Sequence, residues 1–101
     1  MKIIHTEQSL LSLEDSLQFL LNVQRIPLEK VFEIRNQLLD KADSLDKNPD
    51  LGQHEEYLVH LKKGHRRLIE GTFKIIYRVE GEFIYITDFF DSRQNPKKMK
   101  G

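Results

Sequence analysis

Basic side chains are concentrated in the second half of the sequence, where they could bind the phosphate groups of a polyanion. Residues 1–50 carry 6 basic and 9 acidic side chains, whereas residues 51–101 carry 10 basic and 7 acidic ones. Arginine binds phosphate oxygens through two parallel hydrogen bonds, which lysine cannot reproduce. A phosphate-binding surface and an ordinary solvated strand face both agree with this pattern. The basic residues concerned are Lys62, Lys63, Arg66, Arg67, Lys74, Arg78 and Arg93.

The four histidines, His5, His54, His60 and His65, do not form a metal-binding pattern. No two of them have the i, i+4 spacing of a helical zinc site, and the sequence has no cysteine. His65 could transfer protons, because the unperturbed pKa of histidine, about 6.5, lies near neutrality. We expect His65 at the surface, however, because it stands alone beside Gly64. The sequence therefore predicts neither a metal nor a cofactor.

Length and composition predict a single domain spanning residues 1–101. Of the 101 residues, 39% are hydrophobic and 32% are charged, and this apolar content is too high for a disordered chain. Sixteen Lys and Arg balance sixteen Asp and Glu, which excludes a uniformly basic coat for nucleic acid. The absence of cysteine, of a signal peptide and of an apolar membrane span predicts a cytoplasmic protein with no membrane partner.

Two amphipathic helices that form an antiparallel hairpin are predicted between about residues 7 and 48. Thr6 and Ser9 are both suitable as the N-cap of the first helix, and the sequence does not decide between them. Ile26-Pro27 ends the first helix, and Asn48-Pro49 ends the second. The predicted buried faces are Leu10, Leu13, Leu17 and Leu20, widened by Leu11 and Leu21, in the first helix and Leu28, Val31, Phe32, Leu38, Leu39, Ala42 and Leu45 in the second.

Strands are predicted on both sides of this hairpin. One strand is expected at residues 2–5, before the helices, and a sheet over about residues 64–91 follows them. Glu80-Gly81 is a candidate hairpin turn between the last two strands. The expected strands after the helices are 66–70, 73–79 and 83–90.

This order of elements predicts an α+β fold, in which the helical hairpin packs on one face of a mainly antiparallel sheet. Lys74 and Arg78 project from the opposite face, which we expect to be open to solvent or to a partner. For the strand at 83–90, the sequence does not decide which side chains meet the helices. Residues 92–101 are expected to form a polar exit loop and a mobile basic tail, because few apolar residues follow Phe90.

The strands and their exit carry a resemblance to a known family. The stretch from Gly64 to Val79 has an Arg-rich strand, a Gly turn and an aromatic-basic-apolar-apolar-Tyr-Arg strand, and the exit reads Phe90-Asp91-Ser92-Arg93-Gln94-Asn95-Pro96. This pattern resembles the RelE/ParE superfamily of bacterial toxins from type II toxin–antitoxin modules. The resemblance covers nearly the whole chain. It implies a toxin that is held inactive in a hetero-oligomer with its cognate antitoxin, which covers the sheet face or displaces the C-terminal segment.

The resemblance also implies roles for individual residues if the chain is a ribosome-dependent endoribonuclease that needs no metal. Lys74 matches the basic residue that holds the scissile phosphate, and Arg93 matches the stabilising cation of the exit loop. Arg67 lies near the family's basic pair on the preceding strand, where the alignment could slip to Arg66. Asp91 is a candidate general base, although a carboxylate is weak in that role at neutral pH. The expected RNA-binding residues are Arg66, Arg78, Lys62, Lys63, Lys97 and Lys98.

Three functions remain open at the level of sequence. RelE-like members cut mRNA on the ribosome, which is the function that we favour. ParE-like members inhibit DNA gyrase without nuclease residues, and a decayed member would only bind its antitoxin. Nuclease members often have Tyr or His after the last strand, whereas this sequence has neither beyond Tyr85.

Overall fold

A computed structural model describes residues 1–101 as two helices that pack on one face of a five-stranded sheet. The strand order is β1-β5-β4-β3-β2, with β1 parallel to β5 and all other pairs antiparallel. This confirms the predicted α+β class. The strands are β1 (Lys2–His5), β2 (Gln53–His54), β3 (Arg66–Glu70), β4 (Phe73–Glu80) and β5 (Phe83–Asp91), and the helices are α1 (Glu7–Asn22) and α2 (Leu28–Asp43). Short 3-10 helices cover Ser44–Asp46, Glu56–Leu61 and Pro96–Lys98.

Capping residues set the ends of the helical hairpin. Thr6 is the N-cap of α1, because its side chain accepts the Ser9 backbone N–H at 3.2 Å. The Thr6 hydroxyl also donates to the Ile86 carbonyl at 2.7 Å, which ties the start of α1 to β5. Pro27 is the N-cap of α2. None of the helices is both long and apolar enough to cross a membrane.

The main core lies between the helical hairpin and the sheet. Four residues predicted for the buried helix faces are instead exposed: Leu10 by 47%, Leu11 by 51%, Leu28 by 51% and Phe32 by 49%. The prediction was wrong for them because only the stripe of each helix that faces the sheet is covered, and no further layer lies over the hairpin. The core residues are Leu13, Leu20, Val31, Leu38, Ala42, Leu45, Leu68, Phe73, Ile75, Tyr77, Ile84, Ile86 and Phe89.

A β-bulge in β5 explains why simple alternation could not orient this strand. Ile76 pairs with Asp88 and Tyr77 pairs with Ile86, so Thr87 is an extra residue without a partner in β4. Because of this insertion, both Ile86 and Phe89 reach the helix-covered core, although they are three residues apart. The opposite sheet face, which carries Arg67, Lys74 and Arg78, is called the cationic face below.

The sheet is wider than the sequence predicts. Its edge strand β2 pairs with β3 through Gln53 and His54, so the sheet is not confined to residues 64–91. Two residues are too few to show an alternating pattern, and the strand is recognisable only from its partner. The 3-10 helix Glu56–Leu61 connects β2 to the turn before β3.

Candidate functional site

Glu55 lies at the centre of an ion-pair cluster beneath the cationic face. Its side chain is fully buried, at 0% exposure. Lys74 Nζ donates to Glu55 Oε1 at 2.9 Å, and Arg67 Nη1 lies 3.7 Å from the same oxygen. The Tyr57 backbone N–H donates to Glu55 Oε2 at 3.0 Å. A buried carboxylate is tolerated only with such partners, so these contacts fix the positions of both cationic side chains.

Tyr77 anchors the loop that carries Glu55. Its hydroxyl donates to the Pro49 carbonyl at 2.8 Å and accepts the Gly52 backbone N–H at 2.8 Å. Burial raises the pKa of Tyr77, so the hydroxyl keeps its proton and can donate. A Cβ on Gly52 would lie 2.5 Å from the Arg67 carbonyl oxygen and 2.7 Å from Tyr77 Oη. Only glycine therefore allows the loop to approach the sheet this closely.

Arg66 and Arg67 project from opposite faces of β3, so only Arg67 lies beside Lys74. Arg67 pairs with Ile76 on the cationic face, and its Nη1 donates to the His54 carbonyl at 2.6 Å. Arg66 pairs with Tyr77, and its Nη1 donates to the Gly52 carbonyl at 2.6 Å. The structure therefore brings Arg67 to the Lys74 cluster and keeps Arg66 away from it.

Arg78 forms a second basic position on the cationic face. Its guanidinium lies 4.5 Å from the ring centroid of Tyr85, its cross-strand partner on β5. Arg78 also forms an ion pair with Glu80. A guanidinium that stacks on an aromatic ring presents a flat surface with hydrogen-bond donors at its edge, a combination that suits an unstacked nucleotide.

The centre of the cationic face is covered, contrary to the expectation of an open surface and a mobile tail. Met99 is 7% exposed and packs with Leu58, Ile76 and Phe90 in a small apolar cluster. The Lys100 backbone N–H donates to Asp88 Oδ2 at 2.9 Å. Burial raises the pKa of Asp88, and the hydrogen bond from Lys100 offsets part of this rise. Met99 supplies the apolar anchor, and Asp88 the polar one, that hold the C-terminal segment on the sheet.

Arg93 and Asp91 form a separate pair at the end of β5. Arg93 Nη2 donates to Asp91 Oδ2 at 2.6 Å, and Nε donates to Oδ1 at 3.0 Å. Burial alone would raise the pKa of Asp91, but the hydrogen bonds and charge of Arg93 outweigh it, so the pKa is lowered. Arg93 lines a cavity of about 580 Å³ beside α1, and no hydrogen bond or ion pair links it to Lys74 or Glu55. A carboxylate whose pKa is lowered in this way is a poor proton acceptor.

The four lysines expected to bind RNA lie around the cationic face rather than within the cluster. Lys62 and Lys63 are exposed in the turn before β3, and Lys97 and Lys98 are exposed in the last 3-10 helix. None of the four forms an ion pair. They add positive charge that is free to meet a polyanion but is not fixed in position.

The main residue that sequence reasoning missed is Glu55. The sequence offers Glu55-Glu56 only as an isolated carboxylate pair, since its partner Lys74 is 19 residues away. Tyr57 completes the cluster, because its backbone N–H donates to Glu55 and its ring lies 5.5 Å from Lys74 Nζ. No local pattern could have revealed this cluster, because the loop meets β4 only through the tertiary fold. His, Asp and Glu residues form no group of three that could hold a metal.

The cations of the cluster are partly open to a second anion. Lys74 and Arg67 share one carboxylate, and their side chains remain 17% and 20% exposed. A phosphate arriving from the open side could therefore bind both cations while Glu55 keeps them in place from below. Two cations held in place in this way can stabilise a developing negative charge, an effect that makes the largest single contribution in many enzymes.

An N-terminal strand, a two-helix hairpin and a five-stranded, mainly antiparallel sheet together form the ParE-like α+β fold. A chain from a structure described as the chromosomal ParDE TA system of P. aeruginosa has this fold, with a TM-score of 0.74. It is 20% identical in sequence, and the match covers 90% of the present chain and 95% of that one. No family model and no curated protein matches the sequence. The resemblance to the RelE/ParE superfamily is thus confirmed at the level of the fold.

Proposed function

We propose that the chain is the toxin of a type II toxin–antitoxin module and that it cleaves mRNA on the ribosome. The observation that carries this proposal is the buried Glu55, which holds Lys74 and Arg67 side by side on the cationic face. Packing does not require three charged groups at this position. A site for a phosphate in the transition state does require cations that are already in place.

In this mechanism Lys74 and Arg67 bind the scissile phosphate and stabilise the phosphorane. Arg78 and Tyr85 receive a neighbouring nucleotide, and the ribosome orients the mRNA so that the 2′-hydroxyl lies in line with the bond from phosphorus to the 5′-oxygen. The resemblance implies a stabilising role for Arg93 too, which would require its guanidinium to leave Asp91. Arg66, by contrast, would act only on the fold, through Gly52 and Asp50.

An apolar groove between the two helices supports an antitoxin partner. The groove has a volume of about 380 Å³, and the exposed residues Leu10, Leu28 and Phe32 line it. Exposed apolar surface on this scale is typical of protein interaction sites. Two antiparallel helices offer a trough for the apolar side of a third helix, so we propose an amphipathic antitoxin helix as its occupant. We propose the cytoplasm as the site of action, because the chain would meet both the antitoxin and the ribosome there.

Inhibition of DNA gyrase is the second candidate function. The comparison with the ParDE chain supports it, since the resemblance links ParE-like members to gyrase. The ion pairs also support it: Lys74, Arg67, Arg78 and Arg93 each already have a carboxylate partner. In that case the cluster would serve stability and the toxic surface would lie elsewhere.

Brief induction of the chain without its antitoxin, followed by primer extension on a well-translated reporter mRNA, tests the proposal. We expect new 5′ ends inside the reading frame, which disappear when the reporter's start codon is removed. Intact mRNA with arrested growth would reject the nuclease, and a supercoiling assay with purified gyrase would then test the second candidate. Intact mRNA with normal growth would indicate a decayed member that only binds antitoxin.

A further inference from the structure

His65 is a buried titratable residue with no role in the ion-pair cluster. It is 3% exposed, contrary to the expectation of a surface position. Neither of its ring nitrogens has a hydrogen-bond partner. Buried polar atoms are nearly always paired, and leaving one unpaired costs free energy. Burial of this imidazole therefore costs free energy, and no hydrogen bond of its ring nitrogens offsets that cost.

The strand register places His65 next to the proposed phosphate site. Arg66 pairs with Tyr77, so the next step of the same ladder brings His65 opposite Arg78. His65 and Arg67 alternate with Arg66 along the chain and therefore share the cationic face. Two residues along a strand correspond to about 7 Å, a separation over which an imidazole and a guanidinium can contact the same nucleotide.

The C-terminal residues cover the imidazole. A Cβ added to Gly101 would lie 2.9 Å from His65 Nε2, and Leu61 packs against the same glycine. Four hydrogen bonds hold this segment on β5 and α1. They run from the Lys100 N–H to Asp88, from Thr87 Oγ1 to the Lys100 carbonyl at 3.2 Å, from Gln8 Nε2 to the Gly101 carbonyl at 3.2 Å, and from Lys100 Nζ to Ser12 Oγ at 3.3 Å.

The surroundings of His65 favour its neutral form. Burial lowers the pKa of His65, and the positive charges of Arg78, Lys63 and His60 lower it further. These groups face the ring from β4, from the turn before β3 and from the 3-10 helix at 56–61. No acidic side chain forms a hydrogen bond or an ion pair with His65. A neutral imidazole has one nitrogen with a free lone pair, which is the form that accepts a proton.

We propose that His65 is the general base of the cleavage reaction and becomes accessible when residues 99–101 leave the sheet. This inference rests on the proposed nuclease function. The imidazole takes the proton of the 2′-hydroxyl as the 2′-oxygen forms a bond to phosphorus. The bond from phosphorus to the 5′-oxygen breaks, and that oxygen takes a proton from water. The products are a 2′,3′-cyclic phosphate and a 5′-hydroxyl, and the imidazolium returns its proton to solvent.

The variant His65→Leu separates this catalytic role from a structural one. Leucine removes two unpaired polar atoms at little change in volume, so we expect an unchanged or higher melting temperature. We expect the single-turnover rate of mRNA cleavage on purified ribosomes to fall by about 100-fold or more, because general bases contribute about 100- to 10,000-fold. The matched control His54→Gln changes an exposed histidine of β2 whose side chain forms no hydrogen bond, and it should keep the rate within about twofold.

The pH dependence of the rate gives an independent readout. Once residues 99–101 have left, burial no longer lowers the pKa of His65, but the positive charges of Arg78 and Lys63 still do. A base whose pKa stays below 6.5 is mostly neutral at pH 7, so the wild-type rate should be flat above neutrality and fall as the pH decreases below it. The His65→Leu variant should lack this fall. Equal rates and equal pH profiles would overturn the inference and leave the nuclease intact. Loss of both melting temperature and rate would assign His65 a structural role, and a wild type that does not cleave would reject both proposals.

Discussion

The two faces of the sheet are built on different principles. The helix-covered face is closed by 13 buried apolar residues, and burial accounts for the identity of all of them except Tyr77, whose hydroxyl also forms hydrogen bonds with Pro49 and Gly52. The cationic face has only four buried apolar residues, and beside them it holds a fully buried glutamate, three cations and a buried histidine whose ring nitrogens have no hydrogen-bond partner. Apolar residues could fill these places at little or no loss of stability.

Stability explains the residues of the helix-covered face. The charged groups of the cationic face require another explanation. Charged groups that are held in place at a cost are typical of functional sites. The two faces also differ in the segments that cover them. Short 3-10 segments and the C-terminal residues lie over the cationic face, in place of long helices. Segments with few apolar contacts open at lower cost than a packed helix does.

The largest expected effect is that of Lys74→Met. Growth arrest should disappear, and the free energy of unfolding should fall by about 3 kcal/mol, because Glu55 would stay buried with only Arg67 nearby. Urea unfolding and growth after induction measure the two effects. In the double variant Glu55→Met/Lys74→Met the buried charge is gone, so stability should largely return while growth stays normal. Growth arrest by the double variant would show that the cluster serves only the fold.

Adjacent isoleucines compare the packing of the two faces directly. Ile75 and Ile76 are both fully buried, at 0% exposure, but they belong to the main core and the small cluster, respectively. We expect Ile75→Ala to cost about 4 kcal/mol and Ile76→Ala about 2 kcal/mol, because short covering segments can relax into the cavity more easily. Denaturant unfolding measures both values. An equal cost would show that the cationic face is packed as rigidly as the core.

Removal of a tyrosine hydroxyl should cost more stability on the helix-covered face than on the cationic face. Tyr77→Phe removes the hydrogen bonds to Pro49 and Gly52, so we expect a loss of about 1 to 2 kcal/mol. Tyr85→Phe is the matched control, because the Tyr85 hydroxyl makes no hydrogen bond within the chain, and it should cost less than about 0.5 kcal/mol. Thermal unfolding at pH 7 compares the two variants. A larger loss for Tyr85 would contradict the assignment of Tyr77 as the anchor of the loop.

The smallest expected effect is a gain from Asp88→Asn. Burial raises the pKa of Asp88 above its unfolded value of 3.8, so the carboxyl favours folding at low pH and this contribution is lost as pH rises through the folded pKa. At pH 7 the amide should therefore be more stable than the carboxylate, by an amount on the order of 1 kcal/mol. The gain should vanish below pH 3.8. A loss of stability at pH 7 would mean that the hydrogen bond from Lys100 outweighs burial.

The sequence predicted those helices and strands whose residue pattern is visible within the element itself. Alternation from Phe73 to Val79 identified β4, and the Ile26-Pro27 break separated the helices. The edge strand β2 has two residues and no period of its own. The bulge at Thr87 interrupts the alternation that would orient β5. These features depend on a neighbouring strand, so no local pattern could predict them.

Only the cationic residues of the candidate site could be predicted from the sequence. Lys74 and Arg67 were expected from charge and from the resemblance, and the structure brings them together. Their carboxylate partner was hidden because Glu55 reaches them through the loop that Tyr77 anchors. The burial of His65 depends on residues 99–101, which the sequence describes only as a basic tail.

Cleavage of mRNA in a reconstituted translation reaction tests the central claim most directly. Purified wild-type chain and the Glu55→Met/Lys74→Met variant would be added to ribosomes that are translating a defined message, and 5′ ends would be mapped by primer extension. We predict new ends within the reading frame for the wild type and none for the variant, although both are folded. Equal cleavage by the two proteins, or none by either, would contradict the assignment of the cationic face as the site of RNA cleavage.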